Sequence, residues 1–167
     1  MYLDPQQNTD FIALIKSHER LIYKVCSMYA VQPEDVKDIF QEIVLQAWKS
    51  FPGFKHNAKP GTWLYRVALN TAINYKRAHN KIKTVGQAEL LNEQGICLPE
   101  LDEEYKLMHR MICMLPPVEK AIVMLYLDDY SYKEMAEIMG MSETNIGTKL
   151  MRIKEKLKSQ AHEFINS

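Results

Sequence analysis

Ser131-Tyr132-Lys133-Glu134-Met135-Ala136-Glu137-Ile138-Met139-Gly140-Met141-Ser142-Glu143-Thr144-Asn145-Ile146 reads as two capped helices joined at a glycine. Ser131 stands before a helix start, and Glu134 three residues on completes a reciprocal capping pair. Met135, Ala136 and Met139 form an inward face. Gly140 falls where a helix end calls for left-handed backbone, and Met141 plugs the turn. Ser142 caps a second helix, whose inward positions Ile146, Leu150, Ile153 and Leu157 step by four, three and four. Two such helices around a three-residue turn have the form of a helix-turn-helix.

In that motif the second helix lies in the major groove and its first residues meet base edges. Ser142, Glu143, Thr144, Asn145, Thr148 and Lys149 occupy that end. Asparagine can pair bidentately with adenine, and threonine can touch a thymine methyl. Lys149, Arg152, Lys154, Lys156 and Lys158 supply cations for phosphates. Gly147 costs about 1 kcal/mol inside a helix; it fits either a close approach of backbone to DNA or a tolerated surface glycine. A helical hairpin with a solvated basic face is the competing reading of the same residues.

Outward from this motif, apolar residues recur at helical spacing through most of the chain and no β pattern intervenes, so the expected class is all-α. Phe11, Leu14, Ile15, Leu21, Ile22, Val25 and Met28 predict one helix over about residues 8–29. Pro33, Glu34 and Asp35 suit the start of the next, which carries Val36, Ile39, Phe40, Ile43, Val44, Ala47 and Trp48 and ends at Phe51-Pro52-Gly53. After a loop to Gly61, a helix is predicted over about Thr62–Asn80. Leu64, Val67, Ala68, Thr71, Ala72 and Tyr75 face inward, and Arg66, Asn70, Asn74, Lys76 and Arg77 outward. Periodicity fades from Lys81 to Glu104, a flexible linker with room for one helical turn. The predicted organisation is two small helical domains, 1–82 and 105–167, joined by a linker over 83–104.

Net charge is zero over the 167 residues, but its distribution is uneven. Residues 55–83 hold seven Lys and Arg and no acid, whereas residues 84–104 hold six acids and no base. Local field, not net charge, steers a polyanion. Lys55, His56, Asn57, Lys59, Trp63, Tyr65, Arg66, Asn70, Asn74, Lys76 and Arg77 thus form a candidate nucleic-acid track. Stacking an unpaired base on an aromatic ring is worth roughly 1–3 kcal/mol, on the scale of the cost of extruding that base. Trp63 suits a core position equally well, and Leu64 and Tyr75 suit one better.

Three separate motifs resemble bacterial RNA polymerase sigma factors. Asp38-Ile39-Phe40-Gln41-Glu42-Ile43-Val44-Leu45-Gln46-Ala47-Trp48 is similar to that family's "D-x-x-Q-E-x-F-x-x-A-W" helix. Gly61-Thr62-Trp63-Leu64-Tyr65-Arg66-Val67-Ala68-Leu69-Asn70 resembles the "TWLYRIAxN" segment after it. Leu115-Pro116-Pro117 and Tyr130 to Gly140 resemble the second domain. The short length resembles the extracytoplasmic-function group of the sigma-70 family. The resemblance implies promoter-directed initiation with core RNA polymerase. Asp38, Gln41, Glu42, Leu45 and Gln46 would meet the largest subunit's clamp helices, residues 55–77 would melt and read the −10 element, and the recognition helix would face the −35 element. It also implies an anti-sigma factor as regulator, and a linker that threads toward the active-site cleft. The sequence departs from the family in Lys55 to Gly61 and at Gly147-Thr148, where relatives carry other residues, so base preference does not carry over.

Two other classes compete. A helix-turn-helix repressor would bind a palindrome as a dimer without polymerase. An enzyme is disfavoured, since no phosphate loop, metal-ligand cluster or nucleophile–base arrangement is present, and no cofactor, metal or small-molecule substrate is expected. Cys26, Cys97 and Cys113 have no CxxC spacing and read as reduced thiols. Met1 to Pro5 lacks signal-peptide character and no apolar run approaches membrane-spanning length, so a cytoplasmic location is expected.

Overall fold

The computed structural model describes residues 4–55, 57–83 and 102–167. The expected linker conformation and His56 lie outside the described residues, apart from the linker's two ends. No strand occurs among the described residues, which form eight α-helices. They divide into two compact units, one containing α1–α4 and the other α5–α8.

The first unit begins with α1 (Pro5–Ser17), capped reciprocally by Asp4 and Gln7, and α2 (Glu19–Tyr29). The single helix expected over 8–29 is thus two. The break is local chemistry that periodicity does not report. Ser17 Oγ donates to the Leu14 carbonyl at 2.9 Å, and His18 Nδ1 reaches the same oxygen at 3.0 Å. These side chains crowd an oxygen that His18 N–H also reaches, and that N–H is split between the Leu14 and Ile15 carbonyls at 3.2 Å each, where the regular ladder stops.

α3 (Pro33–Ser50) starts where Asp35 Oδ2 accepts from the backbone N–H groups of Val31 and Gln32, at 3.0 and 2.9 Å. A 3-10 turn over Phe51–Gly53 closes it. α4 (Pro60–Lys83) begins two residues earlier and ends three later than expected. It packs against both α2 and α3. Its buried face is therefore broad and rotated by one position from the expected one: Leu64, Tyr65, Ala68, Leu69, Ala72 and Ile73, with Thr71 at its edge. Val67 and Tyr75 are half-buried. Phe11, Trp48, Phe51, Phe54 and Trp63 join in edge-to-face, tilted and stacked pairs, with centroids 4.8 to 6.5 Å apart, and fasten α1, α3 and the start of α4 together.

The second unit holds α5 (Glu103–Cys113), α6 (Pro117–Leu127), α7 (Tyr132–Met139) and α8 (Glu143–Asn166). α6 is its core element, with Lys120 through Leu125 buried. The caps read from sequence are present. Glu134 N–H donates to Ser131 Oγ at 3.2 Å, Ser131 N–H to Glu134 Oε2 at 2.9 Å, and Asn145 N–H to Ser142 Oγ at 3.1 Å. Gly140 has φ 65°, the left-handed cap. Met135 and Ala136 are buried as expected, but Ile138 takes the inward place assigned to Met139, which is half-buried.

Candidate functional site

Two surfaces carry the sequence-predicted residues, one on each unit. On the first, α3 and α4 leave a groove of about 1030 Å³ between them. Asp38, Gln41, Glu42, Leu45 and Gln46 line its α3 side, and Asn70 and Asn74 its α4 side. The residues expected at the polymerase and two of those expected at the −10 strand thus share one groove. Leu45 is 44% exposed, an apolar side chain among acids and amides. Gln46 Nε2 donates to Glu42 Oε1 at 2.7 Å, which fixes both one turn apart.

Sequence reasoning missed the groove's far wall. Tyr75 donates its hydroxyl to Asp35 Oδ1 at 3.3 Å, and His79 stacks on Tyr75 with centroids 4.1 Å apart. Burial works to raise the Asp35 carboxyl. The Gln32 and Val31 N–H groups, the Tyr75 hydroxyl and His79 outweigh it and hold the carboxyl below its usual range. Burial and then the charges of Asp35 and Asp38 push Tyr75 up to about 12. The available signal was the spacing of Tyr75 and His79, one turn apart on α4.

The basic block divides in two. Lys55, Asn57 and Lys59 before α4, and Arg66, Asn70, Asn74 and Arg77 along it, are exposed. The four helical positions recur at steps of four, four and three, one continuous face. Lys76 is half-buried. Tyr65 corrects an expectation. At 0% exposure it belongs to the core and cannot stack on a base, and Lys24 Nζ lies 5.4 Å from its ring centroid. Trp63 is half-buried, its ring 4.8 Å from that of Phe54. It serves the aromatic cluster and presents only part of its surface outward.

On the second unit, α8 buries Ile146, Leu150 and Ile153 and shows Ser142, Glu143, Thr144, Asn145, Arg152 and Lys154 to solvent, with Thr148 and Lys149 half-exposed. Ser142 is engaged as the cap, so its Oγ is already an acceptor for Asn145 N–H. Lys154 Nζ sits 4.0 Å from the Tyr126 ring centroid. Its hydrogen bond to Tyr126 raises its pKa against desolvation, with Tyr132 adding to the effect. Neither tyrosine was singled out from sequence. Gly147 faces Tyr132: a Cβ there would stand 3.5 Å from the ring.

Outside these surfaces, burial pushes the Cys26 thiol up to about 12, which keeps it protonated and inert. Among the described residues no group of His, Cys, Asp and Glu could hold a metal ion. No helix among them is long and apolar enough to cross a membrane.

Comparison with known proteins finds relatives for both units. Residues 14–82 match the family model for sigma-70 region 2, and residues 98–157 that for sigma-70 region 4. The chain is 28% identical over 169 residues to the ECF RNA polymerase sigma-E factor of Escherichia coli strain K12, covering 93% of this chain and 88% of that one. It is 29% identical over 134 residues to the ECF RNA polymerase sigma factor SigM of Bacillus subtilis strain 168, covering 78% and 82%. Among solved structures it resembles the sigma factor RpoE in complex with the anti-sigma factor NepR from Bartonella quintana, with TM-score 0.74, 15% identity, and 90% and 95% of the two chains covered. It also resembles CnrH in complex with the cytosolic domain of CnrY, with TM-score 0.59, 20% identity, and 93% and 90% covered. At such identities the structural likeness speaks to the fold.

Proposed function

Since the chain belongs to the sigma-70 family, in its extracytoplasmic-function group, we propose a division of labour between its two units in directing RNA polymerase to a promoter. The α3 side of the groove, Asp38, Gln41, Glu42, Leu45 and Gln46, docks on the clamp helices of the polymerase largest subunit. Acids and amides around one exposed leucine suit a basic partner helix with an apolar contact at its centre. The basic face of the same unit, Lys55, Asn57, Lys59, Arg66, Asn70, Asn74, Lys76 and Arg77, tracks the backbone at the −10 element. Melting there needs a platform for an unpaired base. The exposed part of Trp63 is the candidate, now without Tyr65.

The second unit reads the −35 element with α8, where phosphate contacts by Lys149, Arg152 and Lys154 fix register and the first two turns meet bases. An anti-sigma factor regulates the chain by covering its polymerase- and promoter-binding surfaces. The exposed apolar side chains Leu45, Tyr105, Met108 and Leu127 support such a partner. The protein acts in the cytoplasm and performs no covalent chemistry of its own.

The observation that carries this reading is the pairing of two family regions, in order, on two separate helical units: an acid–amide groove on one, a doubly capped helix-turn-helix on the other. The test is transcription in vitro with core polymerase and the full chain. Promoter-specific initiation that rises on addition of the chain is expected. No gain over core enzyme alone, with palindromic operator binding by the chain itself, would establish a repressor instead.

A further inference from the structure

The groove-entering end of α8 has an unusual surface chemistry for a DNA reader. No Lys or Arg lies between Ser142 and Thr148. At 100° per residue, Ile146, Leu150 and Ile153 define the buried side, and Thr144, Thr148 and Met151 project away from it. Met151 is 57% exposed, a large apolar side chain with no cover from its own unit. Thr148 Oγ1 donates to the Thr144 carbonyl at 3.0 Å, so its proton is committed to the helix. Gly147 sits beside this row and faces Tyr132, whose ring an added Cβ would meet at 3.5 Å. The cations begin at Lys149, on the flank of the buried side, and Arg152, exposed, stands one step outward of it, about 40° round the helix from Thr148. Lys154, on the opposite flank, is drawn onto Tyr126.

A guanine-rich element would ask for Arg or Lys aimed bidentately at O6 and N7, whereas the thymine C5 methyl offers an apolar partner. The row formed by Thr144, Thr148 and Met151 supplies the second, while Arg152 beside it is placed for phosphate. Resting on the assignment of α8 as the −35 reader, we propose that it reads the upstream element chiefly through thymine methyl groups. Met151 and Thr148 are the specificity-determining contacts, assisted by Thr144. Asn145 reads an adjacent adenine, and the flanking cations hold phosphate.

The test uses the full chain with core polymerase and a promoter library randomised over the upstream element. Enrichment of T·A pairs is expected. Replacing each enriched thymine by deoxyuridine, which removes the methyl alone, should lower initiation about fourfold per contacted methyl, the scale of one buried methylene. Met151→Ala should abolish the deoxyuridine effect at one position, and Met151→Leu, which keeps an apolar group, should retain it. Selection of G·C pairs, or indifference to deoxyuridine at every enriched position, overturns the proposal while leaving α8 as the reader. Initiation with no upstream sequence enriched overturns that assignment as well, and the proposal with it.

Discussion

Asp35 ties the start of α3 to α4 through one carboxylate. It caps α3, accepts from Tyr75 on α4, and so sets the edge of the groove that α3 and α4 form. Asp35→Ala should lower the stability of the first unit by about 1–2 kcal/mol, the scale of a lost cap plus a side-chain hydrogen bond. Because the folded pKa is depressed, this stabilisation is complete above the unfolded value, near 3.8, and fades as pH falls through the folded one. Thermal melts followed by circular dichroism should therefore show wild type and Asp35→Asn converging in acid. A gap that stays constant there would show that the charge contributes nothing. Further along α3, Glu42→Lys should weaken binding of core polymerase roughly tenfold or more, by placing like charge against a basic partner. Its helical signal should be unchanged, since Glu42 is half-exposed and bonds to Gln46 on its own helix.

At the scale of elements, the two glycines of the helix-turn-helix should respond oppositely to the same substitution. Gly140 has φ 65° and no neighbour within 4 Å of an added Cβ, so the cost of Gly140→Ala is one of backbone alone, about 1–2 kcal/mol. Gly147 has helical backbone, and its added Cβ meets Tyr132 at ordinary contact distance. Gly147→Ala should therefore stabilise the second unit by about 0.5–1 kcal/mol. Urea unfolding of the two variants measures both signs, and destabilisation by Gly147→Ala would show that Tyr132 cannot yield. The caps and turn of α7 and α8, and the inward steps Ile146, Leu150 and Ile153, were legible in the sequence because they rest on contacts three or four residues apart, whereas on the short α7 Ile138 and not Met139 completes the buried face. The break at His18 was not, since the apolar rhythm runs through it and the bonds to the Leu14 carbonyl leave no periodic trace. Tyr65 was misread because an aromatic among cations looks like a stacking platform. The doubled spacing of Leu64-Tyr65, Ala68-Leu69 and Ala72-Ile73 was the sign that α4 buries two rows, one toward α2 and one toward α3. The shared groove of Asn70 and Asn74 with α3 depends on how two helices meet, which no single-helix pattern contains.

At the scale of the whole chain, the two units bury their own cores, α4 against α2 and α3 in one, α8 against α6 and α7 in the other. A fragment of residues 1–95 should retain its helices and bind core polymerase, yet lose −35-dependent initiation. If that fragment alone gave full −35-dependent initiation, the division of labour between the units would be wrong. The aromatic cluster of the first unit has one more consequence. Both tryptophans of the chain, Trp48 and Trp63, lie within it, each against a phenylalanine ring. Excitation of indole therefore reports on residues of one unit only. The other unit carries no tryptophan and stays dark at that wavelength, so the protein is born with a fluorophore that distinguishes its two halves without any label.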